Sequence, residues 1–290
     1  MKSRLLISVA KELLPQVKDR YPFLYLERGR LEVDDSSVRW IDSNGQVVPL
    51  PIATIQALLL GPGTTVTHEA VKVLAMTNCL LAWVGEDSLL FYSCGISPTH
   101  TTRNFMRQIA LATDESKRLN IARKLFAYRF PSDAVSTKTL KELMGMEGVR
   151  VRALYLEMAE KYGVMWKGRR YKPGEFHLSD VTNRCITACN AALYGIICAC
   201  VHAMGLSAKV GFIHTGSPLP FVYDIADLYK AEFSIDLSFS ITNMLAGVYL
   251  AERVRNAFVQ RVVDRKLLER IPVDISNLLE LNTDVGTHHQ

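Results

Sequence analysis

An α+β fold is predicted, with an N-terminal β-rich domain over residues 1–97, a larger all-α domain over 98–281 and a polar tail over 282–290. Three observations predict it. Residues 23–95 are short segments rich in β-formers, bounded by Gly, Pro and Asn. After "GISPTHTT" the apolar residues recur at helical spacing. The chain has 290 residues and is 49% hydrophobic, enough for a sizeable core and for two modest domains.

"FLYLERGRLEV" and "SVRWID" read as strands. Asn44-Gly45 is a hairpin signal before "QVVPLP", because only small or Asx residues accept the positive φ of such turns. "ATIQALLL" is a further strand ended by Gly61-Pro62-Gly63. "THEAVKVLAMTN" is a short helix with Thr67 as N-cap. "CLLAWVG" and "LLFYSCG" are two strands joined around Glu86-Asp87. Beyond the boundary, "NFMRQIALATDESKRLNIARKLFAYRF" carries one apolar helical face. Helices follow over 137–162, 180–204, 222–230 and 246–270, punctuated by Pro131, Pro173, Gly205, Pro218 and Pro272. No internal repeat is present.

Charge is unevenly spread. Residues 1–95 hold nine Lys/Arg against ten Asp/Glu, whereas residues 103–172 hold sixteen against seven. The basic excess suits a polyanion partner; a solvated helical face explains it equally well on charge alone. The six cysteines show no Cys-x2-Cys pair. Structural zinc is therefore not expected, and they read as small buried hydrophobes. "MKSRLLISVAKELLPQVKDR" does not read as a secretory signal, since Lys11 and Glu12 interrupt its apolar stretch. "AALYGIICACVHAMGL" is short for a membrane span and contains His202. A cytoplasmic protein with no membrane partner is expected.

One stretch concentrates chemistry. "GFIHTGSPLPFVYDIADLYK" sets His214, Asp224 and Asp227 among core-forming apolar residues. Two aspartates three apart share one helix face. The turn at Thr215, Gly216 and Pro218 can fold the imidazole back beside them. Such a donor set suits Mg²⁺ or Mn²⁺ better than a thiophilic ion; a hydrogen-bonded structural cluster is the plainer reading. Glu147, in "LMGMEGVRVRALYLEMAEKYGV", is a third acid placed at the start of a helix. It reads either as a further metal ligand, with Arg150 and Arg152 nearby for phosphate, or as an ordinary first-turn acid favoured by the helix dipole. In "MWKGRRYKPGEF", Lys167, Arg169, Arg170 and Lys172 alternate with Trp166, Tyr171 and Phe176. Basic residues among aromatics suit a nucleic-acid backbone with bases nearby, and equally suit an exposed hairpin tip.

Taken together, "GMEGVRVRALY", "YGVMWKGRRYKP", Asn183 and Tyr194 in "NRCITACNAALYG", and "GFIHTGSPLPFVYDIAD" resemble the CRISPR-associated adaptation endonuclease/integrase family, Cas-one, most of all its subtype I-E form. The resemblance runs over nearly the whole chain. It implies that the helical domain is catalytic and that the β-rich domain serves dimerisation and DNA-end contacts. It carries the catalytic metal ligands onto Glu147, His214 and Asp227, with Asp224 as an accessory catalytic acid. It implies DNA contacts at Arg152, Lys167, Arg169, Arg170, Lys172, Tyr194 and Lys230, and at Arg28 where relatives stack an aromatic residue. It also implies a homodimer, a dimer of the small partner Cas-two, and Mg²⁺ or Mn²⁺. The DNA partners are donor spacer fragments, the CRISPR repeat and branched DNA. Ser217 departs from the pattern, which has Lys after "HTG", so selection of the donor's flanking motif is expected to differ.

Other classes share some of these residues. A stand-alone structure-selective nuclease on branched DNA, with a repair role, would use the same ligands. A non-catalytic DNA scaffold would not need the Glu–His–Asp set. A metalloenzyme for small phosphate esters would leave the basic-aromatic stretch without purpose.

Overall fold

The computed structural model describes residues 19–21, 23–35, 37–85, 91–95, 102–170, 179–243 and 250–281. The expected boundary near residue 97, the tail over 282–290, Tyr171, Lys172 and Phe176 lie outside them.

The strand-rich half comes first, as predicted. Its strands are β1 (Leu24–Leu26), β2 (Gly29–Asp34), β3 (Ser37–Asp42), β4 (Val47–Leu50), β5 (Ala57–Leu60), β6 (Thr64–Val66), β7 (Leu80–Val84) and β8 (Phe91–Gly95). They form two four-stranded sheets, ordered β1-β5-β7-β8 and β4-β3-β2-β6. The Asn44-Gly45 turn joins β3 to β4 in antiparallel register, with Gly45 at φ 79°. Asp42 Oδ1 accepts the Asn44 and Gln46 amides at 2.8 Å and closes the turn. Helix α1 (His68–Met76) follows, and Thr67 Oγ1 accepts the Ala70 amide at 3.3 Å.

Strand β5 explains how the halves hold together. All four of its residues are buried. Period-two alternation sends Leu58 and Leu60 into the core between the sheets, beside Leu31, Trp40 and Leu74. Ala57 and Leu59 face the other way, into a core shared with Leu193, Ile197 and Phe258 of the helical half.

The helical half comprises α2 (Arg103–Thr113), α3 (Glu115–Ala127), α4 (Ser132–Val135), α5 (Leu140–Tyr162), α6 (Val181–Ala203), α7 (Pro220–Lys230), α8 (Leu237–Thr242), α9 (Leu250–Asp264) and α10 (Leu267–Leu279). The long apolar pattern after residue 103 is broken at Asp114, whose backbone is extended and whose side chain caps α3 by accepting the Lys117 amide at 3.0 Å. The last long pattern is split at Lys266, which takes the left-handed conformation at φ 50°. Pro272 lies inside α10 rather than ending it. It forgoes one backbone bond near the start of that helix.

Helix α6 is the hub. It begins ten residues before the apolar run read from the sequence, and at 23 residues it is, by length and composition alone, long and apolar enough to cross a membrane. Of its most apolar window, 72% is buried within the fold, so the apolar character serves a core. The segment after α7 was not expected to be regular. It continues as a π-type stretch, Ala231–Asp236, and then α8, burying Phe233, Ile235, Leu237 and Phe239.

Candidate active site

Helix α7 begins with Pro220 in its first turn, where a missing amide is harmless. Its inner face buries Phe221, Val222, Ile225 and Ala226. The same face carries Asp224, which is fully buried. A lone buried carboxylate is costly unless hydrogen-bonded. Asp224 is saturated: Oδ2 accepts the amides of Phe212 at 2.6 Å and Ile213 at 3.2 Å. Oδ1 accepts the His214 amide at 3.0 Å and the His214 Nδ1 proton at 2.8 Å. The carboxylate therefore shapes the 212–214 loop and fixes the imidazole. Gly211 is needed for this approach, because a Cβ there would lie 2.7 Å from Pro220 Cβ and 3.0 Å from Asp224 Oδ2.

With Nδ1 engaged, His214 presents Nε2, 3.8 Å from Asp227 Oδ2. The Asp224 hydrogen bond raises the His214 pKa against the opposing effect of burial. One turn along α7, Lys230 Nζ donates to Asp227 Oδ1 at 2.7 Å. Burial pushes the Asp227 carboxyl up, but Lys230, Arg129 and His214 outweigh it and the net shift is downward. Burial likewise pulls Lys230 down, and Asp227 and Tyr194 together more than reverse it. Lys230 also lies 5.3 Å over the Tyr194 ring from α6, which meets Tyr223 edge-on at 5.0 Å.

Glu147 comes from α5. That helix starts at Leu140 under a reciprocal capping box of Thr139 and Glu142. Glu147 is thus well inside α5, and the first-turn acid is Glu142, which removes the dipole reading of Glu147. Arg150 holds Glu147 with two bonds, Nε to Oε2 at 3.0 Å and Nη2 to Oε1 at 3.1 Å. Arg129, past the end of α3, places one nitrogen, Nη1, 3.3 Å from Glu147 Oε1 and 3.7 Å from Asp227 Oδ2. Its side chain is only 5% exposed, and its Nε and Nη2 have no hydrogen-bond partner among the described residues. Sequence reasoning missed Arg129, which lies in "FAYRF" without motif or periodicity to single it out.

The donor types suit a hard divalent ion, although Glu147, His214 and Asp227 are not drawn together as a trio within 4.8 Å. Two carboxylates converge on one cationic nitrogen, so the fold already places positive charge between them. An imidazole nitrogen stands beside one of them. Glu147 is engaged instead by two guanidinium groups, those of Arg129 and Arg150.

The remaining sequence-named residues lie elsewhere. Arg152 is exposed on α5, and Lys167 and Arg170 are exposed in the segment after it. Arg169 is tied to α6 instead, donating to Asn183 Oδ1 and Thr187 Oγ1 at 2.9 Å each. Asn183 is fully buried and also accepts the Arg170 amide at 3.0 Å, fastening this segment to the start of α6. Trp166 packs on Tyr155 at 4.9 Å and on Phe239 at 5.1 Å, so it serves the core rather than offering an open face for bases. Arg28 is exposed between β1 and β2 with φ 54°, in the other half of the molecule.

A strand-rich half locked to a helical half that carries this acid–imidazole set matches one family model, described as CRISPR associated protein Cas1, over residues 24–130 and 129–262. The chain belongs to this Cas1, or Cas-one, family. It is 58% identical to the CRISPR-associated endonuclease Cas1 2 of Chlorobaculum tepidum over 96% of this chain and 94% of that one. It is 38% identical to the CRISPR-associated endonuclease Cas1 of Escherichia coli K12, covering 80% of this chain and 76% of that one. That likeness supports similarity to the subtype I-E form. Among solved structures, a TtCas1–DNA complex aligns with a TM-score of 0.68 and 37% identity over 93% of this chain and all of that one.

Proposed function

We propose that this chain is a divalent-metal-dependent DNA endonuclease/integrase of CRISPR adaptation, acting as a cytoplasmic homodimer with a Cas-two dimer. One observation carries the proposal most directly. Glu147 and Asp227 share a single cation position at Arg129 Nη1, with His214 beside them. Family membership supplies the substrate class: curated relatives are named CRISPR-associated endonucleases, and one relative's structure is a DNA complex.

The reaction joins donor DNA to the array. The donor's 3′-hydroxyl gives up its proton to solvent as its oxygen attacks an array phosphorus, the bond from that phosphorus to its 3′-oxygen breaks, and the departing oxygen takes up a proton. No covalent nucleophile from the protein is required. Glu147, His214 and Asp227 would hold Mg²⁺ or Mn²⁺, which polarises the phosphoryl oxygens and stabilises alkoxide character. Asp224 keeps His214 turned with Nε2 toward Asp227. Lys230 keeps Asp227 ionised. Arg152, Lys167, Arg170 and Lys172 neutralise phosphates of the bound DNA, while Arg169 braces the stretch that carries Lys167 and Arg170. In this reading the helical domain over 98–281 performs the chemistry, and the domain over 1–97, with Arg28, serves dimerisation and the donor end.

The test combines purified protein, Mg²⁺ or Mn²⁺, a donor duplex and an array plasmid, with and without Cas-two. Expected are joined products that require metal, array and Cas-two. Cleavage of branched DNA with no joining under any condition would instead support a stand-alone nuclease.

A further inference from the structure

Cys94 lies on β8, and Cys198 and His202 lie one turn apart on α6. The fold closes 104 residues of separation to bring Cys94 Sγ within 3.8 Å of Cys198 Sγ. Both sulfurs and one ring nitrogen of His202 lie within 4.8 Å of one another, and no other His, Cys, Asp or Glu trio among the described residues is so tight. Two thiolates on one tetrahedral zinc, at about 2.3 Å each, stand about 3.8 Å apart. The observed sulfur separation is that edge.

His202 Nδ1 lies 3.5 Å from Cys198 Sγ and 2.7 Å from the Cys198 carbonyl oxygen, so the imidazole is held against the sulfur pair by its own helix. Cys198 is fully buried, whereas Cys94 and His202 are half-buried, leaving an approach for an ion.

We propose that Cys94, Cys198 and His202 form a second metal site, for a thiophilic d¹⁰ cation such as Zn²⁺, which clasps β8 of the strand-rich half to the central helix α6. On binding, the ion takes two thiolates and one neutral imidazole, and the two thiol protons pass to solvent. The site differs in chemistry from the carboxylate–imidazole set and does not depend on the proposed DNA reaction.

Cobalt(II) titrated into the reduced, metal-stripped full-length protein tests it. Only sulfur ligands give thiolate-to-cobalt charge-transfer absorbance, so the carboxylate–imidazole set cannot imitate it. The expected result is one such cobalt per chain, displaced by equimolar zinc. Cys94→Ser and His202→Gln should each weaken binding at least about tenfold, while Cys200→Ala leaves the spectrum intact. Should Cys94→Ser fail to fold, alkylation of Cys94 in the wild-type protein, mapped by mass spectrometry, replaces it; zinc should slow the reaction at least tenfold. Absence of charge-transfer absorbance in folded, reduced protein overturns the site. So does an unchanged spectrum in Cys94→Ser, or alkylation indifferent to zinc.

Discussion

Replacing Asp224 by Asn removes one charge and almost no volume, so its effect reports the charge-assisted hydrogen bonds rather than packing. Each carboxylate oxygen accepts two protons: Oδ2 from the Phe212 and Ile213 amides, Oδ1 from the His214 amide and Nδ1. An asparagine has one oxygen and one amino group. Turned one way, its amino group faces the Phe212 and Ile213 amides; turned the other, it faces the His214 amide and forces Nδ1 to give up its proton, so two of the four bonds are lost or reversed. Two charge-assisted bonds at roughly 1.5–3 kcal/mol each sum to about 3–6 kcal/mol. At about 2 °C per kcal/mol for a chain of this length, the melting temperature should fall by roughly 6–12 °C. Calorimetry without divalent ions measures this, and a parallel strand-transfer assay should show activity about 10–100-fold lower, the scale of a disturbed supporting residue. A melting temperature within about 2 °C of wild type would refute the claim that Asp224 is the buried anchor of the 212–214 loop.

Asp227→Ala should abolish metal-dependent strand transfer while DNA affinity, read by gel shift, survives, since Asp227 adds negative charge and no phosphate contact. The neighbouring arginines should separate: Arg170→Ala reduces the slope of log affinity against log salt by about 0.7–0.9 with an unchanged melt. Arg169→Ala lowers the melting temperature, because its bonds to Asn183 and Thr187 are lost. Burial raises the Asp236 carboxyl, but Lys161, Tyr162 and Arg261 outweigh it and hold the folded pKa below the ordinary aspartate value. The stabilisation is complete above the unfolded pKa and lost as pH falls through the folded one. Urea midpoints of Asp236→Asn should therefore lie below wild type at neutral pH and converge with it in acid.

Local pattern revealed whatever depends on near neighbours. Turn chemistry at Asn44-Gly45, the Thr67 cap and the alternation of β5 all follow from residues a few positions apart. The His214–Asp224–Asp227 grouping was visible for the same reason, since a ten-residue turn and one helical turn connect them. Long-range encounters were not. Nothing local says that Arg129 reaches Glu147, or that Cys94 meets Cys198. Trp166 misled because interleaving with basic residues describes composition, whereas Tyr155 and Phe239 decide where its ring goes. Helix breaks at Asp114 and Lys266 escaped periodicity because the apolar face continues across them.

The π-type stretch at Ala231–Asp236 acts as a phase shifter. Upstream, α7 aims Asp227 at His214 and Lys230. Downstream, α8 aims Phe239 at Trp166 and Tyr155. One surplus residue in a helix turns everything beyond it by about 100°. An unbroken α-helix through Thr242 would satisfy one bearing and miss the other. Removing a single residue from the stretch would thus act at a distance, trading the aim of the acid against the seating of the aromatic cluster without touching either.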